Sequence, residues 1–417
     1  TEQGGAPAVP PPPGPAKGAV PRFHEIPDPG ISPRTRPLTT AYEDATVITK
    51  APWFDPIVKC DAKAGCCARQ VAISLAQDDV RIKNTVDGLD LADALLRGHQ
   101  WGLDLKFHAA VLREELIPCL QPGTIIHADS YGTVLKRFFE GYRPNITVPY
   151  LLITSETDGH MPMPLYAPKL VEDDLLMHWY GNNPLFHGSL FRDGAPVPDE
   201  YRKKFTGFNL GLARFHPQTP HLSAYLSATN YSNPFAGIEN KNRWIQSSEL
   251  RDATDTAKVL FVKFGIHRYA KHREVPYKMA CGDATDGTNK TEERKKEPVS
   301  CTRPEVKFDM RTTYQAASRY LFGLSPPGNG MDCFRTYELL LLGVVPVVKA
   351  SPEYERLFEG LPLVQLDHWD YSQMQLVEKL QNYIDSDEFR NNEFGGWERL
   401  FLRYWRRKIL SQTGREG

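Results

Sequence analysis

The sequence predicts an α/β protein with two Rossmann-like domains that face each other across a cleft. Its 417 residues exceed what one ordinary domain core holds. One β-α-β pattern occupies residues 124–158, and a second series of alternating strands and helices begins near Lys258. The chain is expected to cross between the domains near residues 235–257. Because parallel α/β sheets bind ligands at the carboxyl ends of their strands, we expect a site where the two sheets meet.

The first pattern begins with TIIHAD, residues 124–129, which is typical of a short buried strand. The segment YGTVLKRFFEGY follows as an amphipathic helix, and VPYLLITSETDG, from Val148, as a strand with a polar end. Because such a crossover makes the strands parallel, Asp129 and Asp158 should emerge together at one edge. A further strand is predicted in LLMHWYGNN, which ends at Asn182 and Asn183.

The rest of an N-terminal domain, residues 51–250, is predicted from its apolar spacing. Upstream of the first strand, GLDLADALLRG and FHAAVLREELIPCL place apolar residues three and four apart, as helices do. The preceding residues 1–50 are rich in Pro and Gly, with a run from Pro10 to Pro13, and are typical of a stem or linker. An ordinary disordered tail would have the same composition.

A C-terminal domain is predicted over residues 251–385. Its strands are KVLFVKF, the end of YQAASRYLFGLSP, and VVPVV; its helices lie in IHRYAKHREVPYKMA, at the start of YQAASRYLFGLSP, and in CFRTYELLLLG. Residues 386–417 contain the amphipathic basic segment FGGWERLFLRYWRRKIL. We interpret it as a docking helix, with a membrane-surface helix as the alternative. Its inward side chains would be Trp397, Leu400, Phe401 and Trp405.

Charge and cysteine content narrow the class of protein. With 50 Lys and Arg against 51 Asp and Glu, the chain has no broad positive field for nucleic acid. The cysteines have no zinc-like paired spacing, and we expect no metal site. Cys281 and Cys301 flank a polar segment that would gain from covalent closure, so we predict a disulfide there, two free thiols being the alternative.

Sequons support the same cellular setting as that disulfide. They occur at Asn145, Asn230 and Asn289. Together these features favour the secretory pathway. An upstream membrane anchor outside this sequence would suit the stem. We expect the protein to contact a membrane only through such an anchor.

The segment SPPGNGMDCFRTYELLLLGVVPVVKA, residues 325–350, carries the clearest chemistry. A strand ends at Ser325, a loop through Gly328, Asn329 and Gly330 turns the chain, and a helix begins near Asp332 or Cys333. Backbone amides and the positive end of the helix dipole would then form an anion site. Arg335 adds a guanidinium that can bind phosphate through two hydrogen bonds.

Glu338 lies one turn beyond this predicted anion site. It shares a helix face with Arg335, three residues earlier, while Phe334, Tyr337 and Leu341 occupy the packing face. A carboxylate in this position can accept hydrogen bonds from ribose hydroxyls. The alternative is a capped helix on which Arg335 and Glu338 form a solvated ion pair.

The residues from Ser318 onward, SRYLFGLSPPGNGMDCFRTYELLLLGVVPVVKASPEYERLFEGLPLV, resemble the C-terminal signature of exostosin-like glycosyltransferases, which are glycosyltransferase family 47 and its relatives. The shared order is a strand, a Pro-Gly loop, a helix with Arg and Glu, a Gly-x-x-Pro-Val-Val strand and a short acidic helix. Upstream, looser resemblance reaches Asp158 and the segment Trp179–Pro184. The chain departs from the usual family pattern with His-Gly-Ser at 187–189 and Phe-Asn-Leu-Gly at 208–211.

This resemblance implies an enzyme of the GT-B architecture that transfers a sugar with inversion. The donor would be a nucleotide sugar, usually a UDP-sugar, used as a co-substrate with no further cofactor, and the acceptor a glycan or glycoprotein. It also implies the Golgi lumen, where the chain would be the ectodomain of a type II membrane protein. No Asp-x-Asp follows a convincing strand, since Asp385 and Asp387 lie at a polar helix end, so we expect a metal-independent reaction.

An inverting transfer needs a base for the acceptor hydroxyl and a stabiliser for the leaving diphosphate. Asp158 is the first candidate base, followed by the other acids and the histidine near the strand ends: Glu156, His160 and Asp129. The candidate donor-binding residues are Ser325, Gly328, Asn329, Gly330, Arg335, Glu338, Arg268 and Arg273. The alternatives left open are an inactive glycan-binding relative, a scaffold subunit of a transferase complex, and another two-domain nucleotide enzyme such as an epimerase.

Overall fold

A computed structural model gives the fold of most of both halves. The residues that it describes are 91–96, 110–184, 199–211, 259–266, 270–282, 299–301, 310–317, 319–390, 394, 396–400 and 402–413. The predicted stem, Arg268, and the sequons at Asn230 and Asn289 lie outside these ranges. No helix among the described residues is both long enough and apolar enough to cross a bilayer.

The N-terminal half is built on a parallel sheet of six strands in the order β2-β1-β3-β4-β5-β6. The strands are β1 (Ala94–Leu96), β2 (Ala110–Val111), β3 (Thr124–Asp129), β4 (Tyr150–Ser155), β5 (Leu176–Gly181) and β6 (Phe205–Gly207). Every residue of β3 and β4 is buried, which is usual where helices cover both faces of a parallel sheet. The register pairs Asp129 with Ser155, so the ends of these two strands lie side by side.

The C-terminal half contains a second parallel sheet, of five strands in the order β11-β10-β9-β7-β8. Its strands are β7 (Leu260–Val262), β8 (Val299–Cys301), β9 (Phe322–Leu324), β10 (Val345–Lys349) and β11 (Val364–Leu366). Two parallel sheets in one chain confirm the predicted α/β class with two Rossmann-like halves.

Helices connect and cover the two sheets. The α-helices are α1 (Gly132–Lys136), α2 (Lys169–Glu172), α3 (Asp199–Lys203), α4 (Glu274–Cys281), α5 (Met310–Ala317), α6 (Phe334–Leu341), α7 (Pro352–Leu357), α8 (Gln373–Ile384), α9 (Asp387–Arg390) and α10 (Leu402–Ser411). A π-helical turn, Arg137–Tyr142, continues α1, and 3-10 turns occupy Glu114–Cys119, Arg143–Asn145, Lys271–Arg273 and Gly396–Leu400.

The helices predicted upstream of β3 are wrong. Within GLDLADALLRG, Ala94–Leu96 forms strand β1, which is buried between β2 and β3. Within FHAAVLREELIPCL, Ala110–Val111 forms β2 and Glu114–Cys119 is a 3-10 turn that contains Pro118. The cause is that a strand covered on both faces has no alternation, so a short apolar run suits a buried strand and a helix equally well.

The end of the chain packs against the N-terminal sheet. Trp405 of α10 is fully buried and meets the ring of Phe208 edge-on at 5.2 Å. The hydroxyl of Tyr180, in β5, donates a 2.6 Å hydrogen bond to Oε1 of Gln412. Leu400 is also buried. Both Leu400 and Trp405 therefore point inward as predicted, and this last segment stabilises the N-terminal half.

The predicted disulfide is present between Cys281, at the end of α4, and Cys301, at the end of β8. The Cα atoms of the pair are 5.8 Å apart. The bond closes the chain around the polar segment that the sequence singled out. Asn145 lies in an exposed 3-10 turn, where an N-linked glycan has room.

Candidate functional site

A glycine loop, residues 325–331, leaves the carboxyl end of β9 and leads into α6. Ser325 is buried, and its hydroxyl lies 3.0 Å from the Thr336 hydroxyl and 3.2 Å from the Cys333 thiol. These contacts tie the end of the strand to the first turn of the helix. Cys333 caps α6 in an extended conformation and makes no side-chain cap hydrogen bond.

Two side chains of the N-terminal half hold the far side of this loop. The amide of Asn329 donates a 3.0 Å hydrogen bond to Oδ2 of Asp158. Asp332 donates its backbone N–H to Oδ1 of Asn183 at 2.9 Å. The loop therefore lies directly against the carboxyl edge of the N-terminal sheet, and the candidate base and the predicted anion site are neighbours.

Asp332 joins the two halves through its carboxylate as well. It is 3% exposed and accepts hydrogen bonds from the backbone N–H of Leu210 at 2.7 Å and from the Tyr337 hydroxyl at 2.6 Å. The Tyr354 hydroxyl donates to its other oxygen at 3.4 Å. Burial, together with the charge of Asp332, holds the pKa of both tyrosines well above the ordinary value, so they stay protonated donors.

Arg335 and Glu338 lie within the C-terminal half. Arg335 is half-buried, donates to the backbone carbonyl of Lys263 and lies over the ring of Phe264 at 5.9 Å. Glu338 is buried, and its Oε1 accepts a 3.1 Å hydrogen bond from the Tyr314 hydroxyl. Burial raises the pKa of Glu338, an effect that the charge of Arg335 opposes.

The expected open face of α6 is therefore corrected at Glu338. The sequence placed this carboxylate on a helix face free to bind a ligand, with a solvated ion pair as the alternative; burial excludes the solvated pair, and the ligand role stays a prediction. Instead, residues Thr336 to Leu341 are all buried, and Tyr314 of α5 covers Glu338. The spacing of Phe334, Tyr337 and Leu341 identified one apolar stripe, but a helix packed on both a sheet and a neighbouring helix buries more than one stripe.

Arg273 supports the glycine loop from the other side. Its Nε donates to the carbonyl of Pro327 at 2.8 Å, and a second guanidinium nitrogen donates to the carbonyl of Gly265 at 3.3 Å. Burial, reinforced by the like charge of Arg335, lowers its pKa. A Cβ at Gly328 would lie 3.3 Å from this guanidinium, so the loop backbone approaches the cation closely.

The candidate bases differ in exposure. Asp158 and His160 are exposed, Glu156 is partly exposed, and Asp129 is only 2% exposed. Glu156 has a positive φ of 76°, which an L-residue adopts at a cost and which is common where a loop shapes a site. Its carboxylate accepts from Ser155 at 3.4 Å, and the Ser155 hydroxyl lies 2.7 Å from Nε2 of the buried His127.

Comparisons with solved structures return trehalose-phosphate synthases. The chain is 13% identical to the alpha,alpha-trehalose 6-phosphate synthase of Burkholderia multivorans, covering 73% of this chain and 77% of that one, with a TM-score of 0.35. For the UDP-forming enzyme of Burkholderia vietnamiensis, the identity is 13%, the coverage 72% and 74%, and the TM-score 0.35. For an E. coli trehalose-6-phosphate structure with bound UDP-2-fluoro glucose, the identity is 11%, the coverage is 73% of this chain and 76% of that one, and the TM-score is 0.35.

No protein-family model and no curated protein sequence matches the chain. The exostosin-like resemblance therefore stays a prediction from the residues quoted above. The structure brings Asp158, Asn329, Gly330 and Arg273 around one loop, while Asp129 and Glu338 are buried.

Sequence reasoning missed Asn183 and Asp332, whose hydrogen bond joins the two halves of the chain; we call this contact the junction. Asn183 was noted only as a strand end and Asp332 only as a possible helix start. The available signal was polar residues directly after one strand and directly before one helix, in two halves whose strand ends are expected to meet.

Proposed function

We propose that this protein is a glycosyltransferase that moves a sugar, with inversion, from a UDP-sugar to a hydroxyl of a glycan or glycoprotein. The observation that carries the proposal is the 3.0 Å hydrogen bond between Asn329 of the glycine loop and Asp158. An inverting transfer requires a base and a diphosphate-binding group on opposite sides of one sugar ring. A carboxylate from one sheet edge that faces a glycine loop from the other supports that arrangement, in which a bound sugar ring would replace the direct contact between Asp158 and Asn329.

In the proposed reaction Asp158 removes the proton of the acceptor hydroxyl. The acceptor oxygen then forms a bond to the anomeric carbon, and the bond from that carbon to the diphosphate oxygen breaks. The diphosphate leaves with the electron pair of this bond. Amides of the loop and the positive end of α6 stabilise the charge that develops, because unpaired backbone donors at a helix N-terminus favour anions.

Two arginines complete the diphosphate site of the proposal. Arg335, in the first turn of α6, and Arg273, bound to the loop carbonyl of Pro327, place positive charge on either side of the glycines. These charges take the role that a divalent cation has in other transferases. Arg268 belongs to the same proposed set.

Glu338 is the proposed ribose ligand. The Tyr314 hydroxyl donates to one of its oxygens and so fixes the orientation of the carboxylate. Because the group is buried, a hydrogen bond from a ribose hydroxyl would be made in a low-dielectric environment, where such bonds are strong.

The proposed setting is the Golgi lumen, with the chain as the ectodomain of an exostosin-like type II membrane protein. The disulfide between Cys281 and Cys301 and the exposed sequon at Asn145 support an oxidising, glycosylating compartment. The acceptor is a glycan or glycoprotein, and no nucleic acid is involved.

Thermal unfolding with a panel of nucleotide sugars, followed by transfer assays on glycan acceptors, tests the proposal. A ligand at a hundred times its Kd adds about 2.7 kcal/mol of stability, which a shift in Tm reports. We expect stabilisation by a UDP-sugar and its turnover with a glycan. Binding without turnover would favour the non-catalytic glycan-binding alternative, and no stabilisation by any nucleotide sugar would overturn the proposal.

A further inference from the structure

Asn183 lies between the glycine loop, residues 325–331, and the loop that carries Asp158. It is the second residue after β5 and is 1% exposed. Its Oδ1 accepts the backbone N–H of Asp332, at the end of the glycine loop, at 2.9 Å. Its Nδ2 donates to the carbonyl of Thr157, in the loop that carries Asp158, at 3.2 Å. One amide therefore bonds to the donor side with its oxygen and to the acceptor side with its nitrogen.

The backbone at this point is specialised for that contact. Asn183 has a φ of 45°, in the left-handed region that asparagine tolerates better than most residues. Gly330 lies so close that a Cβ there would be 2.4 Å from Oδ1 of Asn183. The glycine thus serves the approach of the loop to this amide.

Asn182 reinforces the acceptor side of the same junction. It is also 1% exposed, and its Nδ2 donates to the Thr157 carbonyl at 2.7 Å. Two consecutive amides therefore bond to one carbonyl, located immediately before Asp158. Asn183 is held through both its oxygen and its nitrogen, whereas Oδ1 of Asn182 is buried without a hydrogen-bond partner and only its Nδ2 is bound. The two bonds to the Thr157 carbonyl together restrict the direction of the loop.

We propose that Asn183, supported by Asn182, is a positioning residue that sets the distance between the candidate base and the diphosphate-binding loop. This inference rests on the proposed function for its catalytic consequence, whereas the placement of the two loops can be tested without any ligand. In this proposal Asn183 does not touch the reacting atoms. It acts through its hydrogen bonds to Asp332 and Thr157. Its loss should therefore reduce kcat more than donor affinity, because small displacements of reacting groups cost large factors in rate.

The experiment uses two variants that disturb the same contact from opposite sides. Asn183→Gly removes the amide and keeps the left-handed backbone free of strain. Gly330→Ala leaves Asn183 in place and pushes the loop away from it. Thr124→Ala is the matched control, because Thr124 is 2% exposed and its hydroxyl donates at 2.6 Å to the carbonyl of Gln121, at the start of β3 and so at the opposite edge of the sheet from both loops.

Hydrogen exchange at the Asp332 amide is the first readout. We expect exchange to accelerate about fivefold to tenfold in Asn183→Gly, as for the loss of one hydrogen bond, and also in Gly330→Ala. Thr124→Ala should leave this amide as protected as in the parent chain. Unchanged exchange in both junction variants, or equal acceleration in the control, would overturn the inference whether or not the chain is a transferase.

Steady-state kinetics with a UDP-sugar and calorimetry of its binding are the second readout. We expect kcat of Asn183→Gly to fall by a factor of about ten to one hundred while the donor Kd changes less than about threefold. An equal loss in kcat and donor affinity would mean a general structural role and would sink the inference. Absence of nucleotide binding in the parent chain would instead show that the proposed function fails, and the exchange result would still decide the placement of the loops.

Discussion

The two sheet edges that meet at the candidate site are constructed in different ways. On the C-terminal side, Arg273 and Arg335 both donate to backbone carbonyls of their own half, and Glu338 bonds to Tyr314. On the N-terminal side, Asp158 and His160 extend from a loop and are exposed. The proposed donor side is thus held by contacts within its own half, whereas the proposed acceptor side presents groups that solvent can reach. A diphosphate needs fixed donors, and an acceptor hydroxyl needs an accessible base.

We expect the largest effect on turnover from removing the exposed carboxylate of Asp158. Asp158→Asn keeps an oxygen that can accept from Asn329 but removes the base, so kcat should fall by a factor of about one hundred to ten thousand. Donor affinity should change little, because the C-terminal side is untouched. Turnover and calorimetry measure the two quantities. The control is Glu172→Gln, an exposed acid paired with Lys169 at the surface; retained turnover in Asp158→Asn would remove this residue as the base.

The complementary change removes the buried carboxylate of the donor side. Glu338→Ala should weaken UDP-sugar binding by about 1–3 kcal/mol, because a charged hydrogen bond is lost in a buried site. Tyr314→Phe is the matched variant, since it removes only the hydroxyl that orients the carboxylate, and its effect should be smaller. Equal donor affinity in Glu338→Ala and the parent chain would exclude Glu338 from the ribose site.

The two halves should also differ in how pH affects their stability. His178, in β5, is buried, and burial, with a smaller effect from Lys408, lowers its pKa to about 3. The unfolded chain therefore binds a proton below pH 6.5 that the folded chain does not, and the free energy of unfolding should fall by about 1.4 kcal/mol per pH unit below that value.

The contribution of Glu338 to stability changes with pH in the opposite direction. Its folded pKa is raised above 4.5, so its contribution is fully present below pH 4.5 and is lost as the pH rises through the folded pKa. Urea unfolding across this range should show a shallower acid slope for His178→Gln than for the parent chain. An unchanged slope in His178→Gln would show that another group causes the acid loss.

The sequence predicted those parts of the fold whose signals are local. Strand β3 has the predicted bounds, because its six residues suit a buried strand and are flanked by a turn and a polar end. The loop before α6 was recognised from its glycines. Strand β1 was missed because three buried residues carry no periodicity. The junction could not be predicted from spacing at all, since Asn183 and Asp332 are 149 residues apart and meet only once both sheets have formed.

The smallest effect is expected at the exposed end of the junction, where Asn329 and Asp158 join the two sides directly. Their hydrogen bond is accessible to solvent, so Asn329→Ala should cost less than about 1 kcal/mol in transition-state stabilisation, or up to about fivefold in kcat/KM. The buried contact of Asn183 should matter more, because water cannot replace a lost partner there. A larger loss in Asn329→Ala than in Asn183→Gly would reverse this ranking and would mean that the exposed pair, rather than the buried amide, sets the distance between donor and base.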